Sequence, residues 1–259
     1  MVNEMTAYFR PKTLVELDEI LAKFEGKANF LAGGNYDSTK LDETAPLIDL
    51  QDLGLDQISS SGSNVAIGGL ANLQQLGDAF QSWDGLQEAL SVEAGLNVRN
   101  SLSLANFLRS ADGRSPLLCV LLALALTVEL LPSGKSLPLE KYLVYQQGDK
   151  SEVVSKVTLT LPKNLAYEAV ARAPKDRPLV CMAAALDDSG GLRIACGGMQ
   201  TPPQVLSVPR DPQSAFDLVR RAYEQGDDAW ASATYRQAMS QVLLRRLLQS
   251  LGFLGLEES

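Results

Sequence analysis

The chain has 259 residues, of which 46% are hydrophobic and 21% charged, with a formal net charge of −8 and no histidine. Those proportions describe an ordinary globular chain, long enough for one large domain or two to three small ones. The acidic balance, without any lysine- or arginine-rich run, excludes a nucleic-acid surface and an anionic-membrane surface, and the missing histidines exclude Ser-His-Asp and Cys-His catalysis and most zinc and non-haem iron sites.

The elements fall into three blocks. In the first, residues 1–54, the opening stretch lacks the basic start and apolar core of a signal peptide. Leu14, Leu17, Ile20 and Leu21 recur at helical spacing behind Thr13, a residue type suited to an N-cap. A strand over Asn29–Ala32 then runs into Gly33 and Gly34, and a second strand covers Leu47–Leu50. The segment Phe30–Asp37 reads F-L-A-G-G-N-Y-D. Adjacent glycines reach positive φ and allow close approach. Such a turn can aim several N–H groups at an anion such as a pyrophosphate, or it can be an ordinary strand-to-loop turn. Residue types alone leave both open.

The second block, residues 55–162, starts with a strand, Val65–Gly68, that ends in another glycine pair. Helical spacing follows over Leu73–Phe80 and Leu86–Ala94, and then a polar stretch, Asn97–Asn106. Leu117–Leu126 is apolar throughout but shorter than the roughly 20 residues of a membrane span. It reads as a buried helix behind Pro116, leading into a strand over Thr127–Leu131 and a turn at Pro132–Lys135. Val153–Leu161 alternates as a half-buried strand does.

The third block, residues 163–259, holds strand-like runs at Ala166–Ala171, Leu179–Ala185 and Leu192–Ala195. Two helices follow, Pro212–Tyr223 and Tyr235–Leu251, the second with Met239, Val242, Leu243 and Leu247 on one side. Strands followed by helices imply a small α+β layer.

Cys119, Cys181 and Cys196 are widely spaced in apolar runs, with no C-x-x-C pair. They read as buried reduced thiols, which excludes an iron–sulfur cluster or structural zinc held by this chain and fits a soluble cytoplasmic protein. Gly134-Lys135-Ser136 lacks the earlier glycine of a P-loop and reads as a turn. Asp187–Gly191 lacks the alternating ligands of a calcium loop. Arg99 suits either a phosphate or interface anchor or a structural salt bridge.

The order of these landmarks resembles the flavoprotein (medium) subunit of molybdenum hydroxylases, the group of the carbon monoxide dehydrogenase medium subunit and the xanthine dehydrogenase FAD domain. Tyr8-Phe9-Arg10-Pro11 is similar to the family's opening Y-x-R-P. Leu31-Ala32-Gly33-Gly34 is similar to the start of its first FAD loop, and Leu47–Leu50 to the following strand. Ala66-Ile67-Gly68-Gly69 resembles its I-G-A strand end, and Asn97–Asn100 the I-R-N before its second FAD loop. Asp112 through Leu118 resembles the D-x-x-P-x-L-L that leaves that loop. Asp228 through Arg236 resembles the D-x-R-A-S-x-x-Y-R near the family's end. The resemblance covers almost the whole chain.

It implies an α+β fold: α/β-type FAD-binding subdomains of the PCMH type at residues 1–54 and 55–162, then a C-terminal α+β domain at 163–259 like that of the carbon monoxide dehydrogenase flavoprotein. The implied cofactor is FAD, lined by Ala32, Gly33, Gly34, Asn35 and Tyr36 from the first loop, Ser103 and Asn106 from the second, and Asp112. Iron–sulfur and molybdopterin subunits are the implied partners; nucleic acid and membranes are not. No residue of the chain is implied as catalytic or metal-binding, because the flavin carries the chemistry.

Both loops depart from the family pattern. A-G-G-T-D-L becomes Ala32-Gly33-Gly34-Asn35-Tyr36-Asp37, and T-I-G-G-N has its nearest match in Ser103-Leu104-Ala105-Asn106, which contains no glycine. Two readings follow: an FAD-binding electron-transfer subunit, or a non-catalytic relative that has lost FAD and serves as a scaffold or assembly protein. A third keeps the pocket for another nucleotide or a small anion.

Overall fold

The computed structural model describes residues 7–33, 42, 44–147, 152–208 and 212–253. They form two compact units built from interleaved segments: residues 1–76, 96–110 and 127–158 in one, and 77–95, 111–126 and 159–259 in the other.

The first unit opens with β1 (Tyr8–Phe9), α1 (Leu14–Lys23), β2 (Asn29–Leu31) and β3 (Leu47–Asp49). The three strands form a parallel sheet in the order β1-β3-β2. The Thr13 hydroxyl accepts the Glu16 N–H at 3.1 Å and so caps α1 as its sequence predicts, with Leu17, Ile20 and Leu21 buried. A five-stranded sheet follows, ordered β4-β5-β8-β6-β7. Its strands are β4 (Ile58–Ser61), β5 (Asn64–Gly68), β6 (Thr127–Leu131), β7 (Ser136–Pro138) and β8 (Val153–Thr160). β1, β4 and β7 were not predicted from the sequence; they are short and polar or exposed, with no alternating apolar run to reveal them.

The glycine pair at the end of β5 is a packing device. A Cβ on Gly68 would sit 2.0 Å from the Leu55 carbonyl oxygen, and one on Gly69 1.9 Å from that of Val154. Both N–H groups already donate, Gly68 to Gln57 and Gly69 to Ser155. Only glycine lets three stretches of backbone cross here.

The second unit is built on an antiparallel sheet, β12-β11-β10-β9, with β9 (Asn164–Val170), β10 (Val180–Leu186), β11 (Leu192–Gly197) and β12 (Gln204–Val208). Val180, Met182 and Ala184 join Leu243, Leu244 and Leu247 in one core cluster beneath α8 (Pro212–Ala222) and α9 (Ala233–Ser250). Val242 of α9, predicted to lie on this apolar side, is instead exposed. On the other strand parity of β10, the Cys181 carbonyl meets α6 (Pro116–Ala123), whose Cys119 thiol also donates to the Ala195 carbonyl at 3.3 Å. Because helices cover both faces, β10 is buried along nearly its whole length and reads as a continuous apolar run. The three cysteines are free and buried as expected, and burial raises the Cys196 thiol pKa.

α3 (Asp84–Glu93) and α6 come from the 55–162 block of the sequence yet pack on β9, β10 and β11. Gly85 brings α3 within contact of the Tyr167 backbone. Among the described residues no helix is long and apolar enough to cross a membrane, and no cluster of three or more His, Cys, Asp or Glu is placed to hold a metal.

Candidate cofactor loops and an arginine cleft

In the first unit, β2 delivers Ala32, which is buried, and Gly33, whose φ of +78° lies in the left-handed region. The Gly33 carbonyl is the meeting point of the two predicted loops: it accepts the Ser103 hydroxyl at 3.0 Å and also the Asn106 side-chain amide. Four of the predicted site residues, Ala32, Gly33, Ser103 and Asn106, are thus brought to one corner. Gly34, Asn35 and Tyr36 lie outside the described residues.

The second loop is not a loop. The stretch from Asn97 folds into α4 (Leu96–Ser101) and α5 (Leu104–Ser110), and Ser103 is the residue that starts α5. Its hydroxyl accepts the Asn106 N–H at 3.2 Å and its carbonyl the Phe107 N–H at 2.9 Å. The Leu104 N–H donates to Ala71 and the Ala105 N–H to Gly69, each at 2.8 Å. The first four N–H groups of a helix are the donors that can cradle an anion. Here those of Leu104, Ala105 and Asn106 are engaged by the chain itself, and the Phe107 bond is the first of the helix's own ladder. Leu104 and Phe107 turn into the core of the unit.

Asp112 belongs to the second unit. Its carboxylate accepts the Arg114 N–H at 2.9 Å and pairs with Arg177 at 2.6 Å. Gly113 explains the tight backbone beside it, since a Cβ there would lie 1.7 Å from the Thr201 carbonyl oxygen. Glu93, at the end of α3, accepts the Ser115 hydroxyl at 2.5 Å and the Leu117 N–H at the start of α6, and lies 3.5 Å from Arg177. Burial raises its pKa, against the pull of those hydrogen bonds and of Arg177. Arg99 sits half-buried on α4 with its Nε buried and lacking a hydrogen-bond partner.

Sequence reasoning missed a charged concavity. Arg114, Arg172, Asp176, Arg177, Leu179 and Trp230 surround a cavity of ≈ 270 Å³ in the second unit. Its far wall hangs on Arg236, which is wholly buried and reaches the carbonyls of Leu179, Gly226, Ala231 and Gly198 and both oxygens of Asp228. Asp228 in turn accepts the N–H groups of Trp230 and Ala231. Although burial acts to raise the Asp228 pKa, Arg236 and those N–H groups hold it below the usual carboxylate range. The Asp228-to-Arg236 motif was the signal available in the sequence, and it marks a buried knot that fixes the Trp230 loop.

The sequence profile described as the FAD binding domain in molybdopterin dehydrogenase matches residues 3–162, more than half of the chain. The chain belongs to that family. Among solved structures it is similar to a chain of reconstituted CO dehydrogenase from Oligotropha carboxidovorans, with a TM-score of 0.73 and 22% identity over 96% of this chain and 98% of that one. Quinoline 2-oxidoreductase from Pseudomonas putida 86 gives a TM-score of 0.72 at 20% identity, over 96% and 98%. Carbon monoxide dehydrogenase from Hydrogenophaga pseudoflava gives 0.70 at 21%, over 98% and 100%. At these identities the likeness establishes a shared α+β fold. No curated protein sequence matches the chain.

Proposed function

We propose that this chain takes the flavoprotein position in a molybdenum hydroxylase-like complex and holds that position as a structural member, without FAD. The observation that carries the reading is the start of α5: the N–H groups of Leu104, Ala105 and Asn106, which a helix leaves free for a ligand, are engaged internally. A cofactor phosphate arriving there would have to break hydrogen bonds worth about 0.5–1.5 kcal/mol each before making its own. The domain organisation proposed with it is the family's, two FAD-type subdomains followed by a C-terminal α+β domain. Iron–sulfur and molybdopterin subunits are the partners the position calls for.

A second reading, an FAD-binding electron-transfer subunit, is favoured by one specific feature. Gly33 keeps its left-handed conformation at the end of β2, with the Ser103 hydroxyl and the Asn106 amide beside it. Purification of the tagged chain from its native cells, with iron, molybdenum and flavin measured in the same fractions, separates the two. The structural reading expects iron and molybdenum to co-elute without flavin absorption near about 450 nm. Stoichiometric flavin would establish the electron-transfer reading, and a chain that elutes without either metal would overturn the assembly position.

A further inference from the structure

We infer that the arginine cleft of the second unit is a binding site for a small oxyanion of the phosphate or carboxylate class. It lies wholly within that unit and stands independently of whether FAD is bound elsewhere. Three guanidinium groups line it. Arg177 is neutralised by Asp112 at 2.6 Å and Glu93 at 3.5 Å. Arg114 and Arg172 are different: among the described residues, carbonyls hold them in place, and no carboxylate pairs with either.

Arg114 donates through Nε to the Pro178 carbonyl at 3.2 Å and through one Nη to that of Arg177 at 2.7 Å. Its guanidinium lies 4.4 Å from the centre of the Trp230 ring. Arg172 donates to the Trp230 carbonyl at 2.9 Å. Carbonyl partners orient a guanidinium and leave its full charge in place, whereas a carboxylate partner would cancel it. The planar fork of arginine suits the two oxygens of a carboxylate or phosphate better than any other side chain.

The surroundings leave that charge only partly compensated. Burial acts first to lower the Arg114 pKa, and the neighbouring Arg177 acts in the same direction, with Asp228 and Asp112 opposing from a distance. Both effects are relieved by an arriving anion. Among the described residues, Asp176 is the carboxylate on the cavity wall, and it makes no ion pair with Arg114 or Arg172. A cavity of ≈ 270 Å³ sits at the lower edge of the roughly 300–1,000 Å³ typical of ligand pockets, which sets the guest as a small anion rather than a dinucleotide. The rigid setting matters as much as the charge. Gly113 holds the Arg114 backbone against Thr201, and the Asp228–Arg236 pair fixes the Trp230 loop, so the cleft needs little reordering to bind.

The test is calorimetric titration of the full chain with inorganic phosphate and, separately, with citrate, at constant ionic strength set by sodium chloride. The inference expects saturable one-to-one binding of at least one probe; which of the two binds more tightly assigns the phosphate or the carboxylate arm. Binding should weaken about ten- to hundredfold in Arg172→Gln, whose side chain is exposed and whose loss leaves the fold intact, and similarly in Arg114→Gln. Trp230 emission should shift on binding, and a Trp230→Phe chain should lose that shift while still binding the probe. Absence of saturable binding of either anion would overturn the inference. So would binding that persists unchanged in the Arg114→Gln/Arg172→Gln double variant with a native circular dichroism spectrum.

Discussion

The corner at Gly33 and the cleft at Arg114 both gather polar groups and partner them in different ways. At Gly33 the Ser103 hydroxyl, the Asn106 amide and the helix-start N–H groups of Leu104, Ala105 and Asn106 all find partners within the chain. At Arg114 the partners are carbonyls, which orient the guanidinium without removing its charge. Binding capacity is what folding leaves uncommitted. On the readings proposed above, residue types that look like a cofactor site in the sequence are closed by their own helix, while a set of arginines brought together by the fold stays open.

The largest way to break this contrast is to remove the knot behind the cleft. Arg236→Leu leaves Asp228 and four carbonyls without their donor, in a site that is wholly buried. It should lower unfolding stability by about 3–5 kcal/mol in urea denaturation and abolish anion binding with it. The same pair sharpens the contrast through pH. Asp228 has a folded pKa below its ordinary value of 3.8, so its contribution is complete above that value and is lost as pH falls through the lower, folded one. The wild-type chain should show this acid limb in its stability curve, and Arg236→Leu should show a smaller one, since the Trp230 and Ala231 N–H groups still favour the carboxylate.

Next comes Gly69→Ala, which drives a Cβ to 1.9 Å from the Val154 carbonyl oxygen. A loss of about 1–3 kcal/mol is expected by thermal denaturation, because backbone rather than a flexible side chain stands in the way. Ser103→Ala removes the α5 cap and one tie to Gly33 and should cost about 1 kcal/mol in the same assay. The smallest effect is that of Arg172→Gln on stability, within about 0.5 kcal/mol, because the side chain is exposed. A small stability change paired with a large loss of anion affinity would mark this arginine as a binding residue.

Much of the fold was legible in advance. Helical spacing located α1 and α9 to within a residue or two, and Thr13 declared its cap. The strand-like run Leu179–Ala185 located β10 to within a residue. What escaped was local capping: a serine three residues before an amide also starts a helix, and Ser103 caps α5. The missing glycines were legible, and their consequence was not, since it depends on Ala71 and Gly69 carbonyls contributed from another part of the chain. The arginine cleft was hidden for a plainer reason. Arg114, Arg172 and Trp230 are far apart in sequence and converge only through the Gly113 contact and the buried Arg236.

The most direct measurement is a calorimetric titration of FAD into the Arg114→Gln/Arg172→Gln chain, which keeps the Gly33 corner intact and removes the two guanidinium groups that lack carboxylate partners. If the corner is closed by α5, the heats stay at the level of dilution throughout. Saturable one-to-one binding of FAD in that variant would mean that the helix start opens for the cofactor, and the structural reading of this chain would fall.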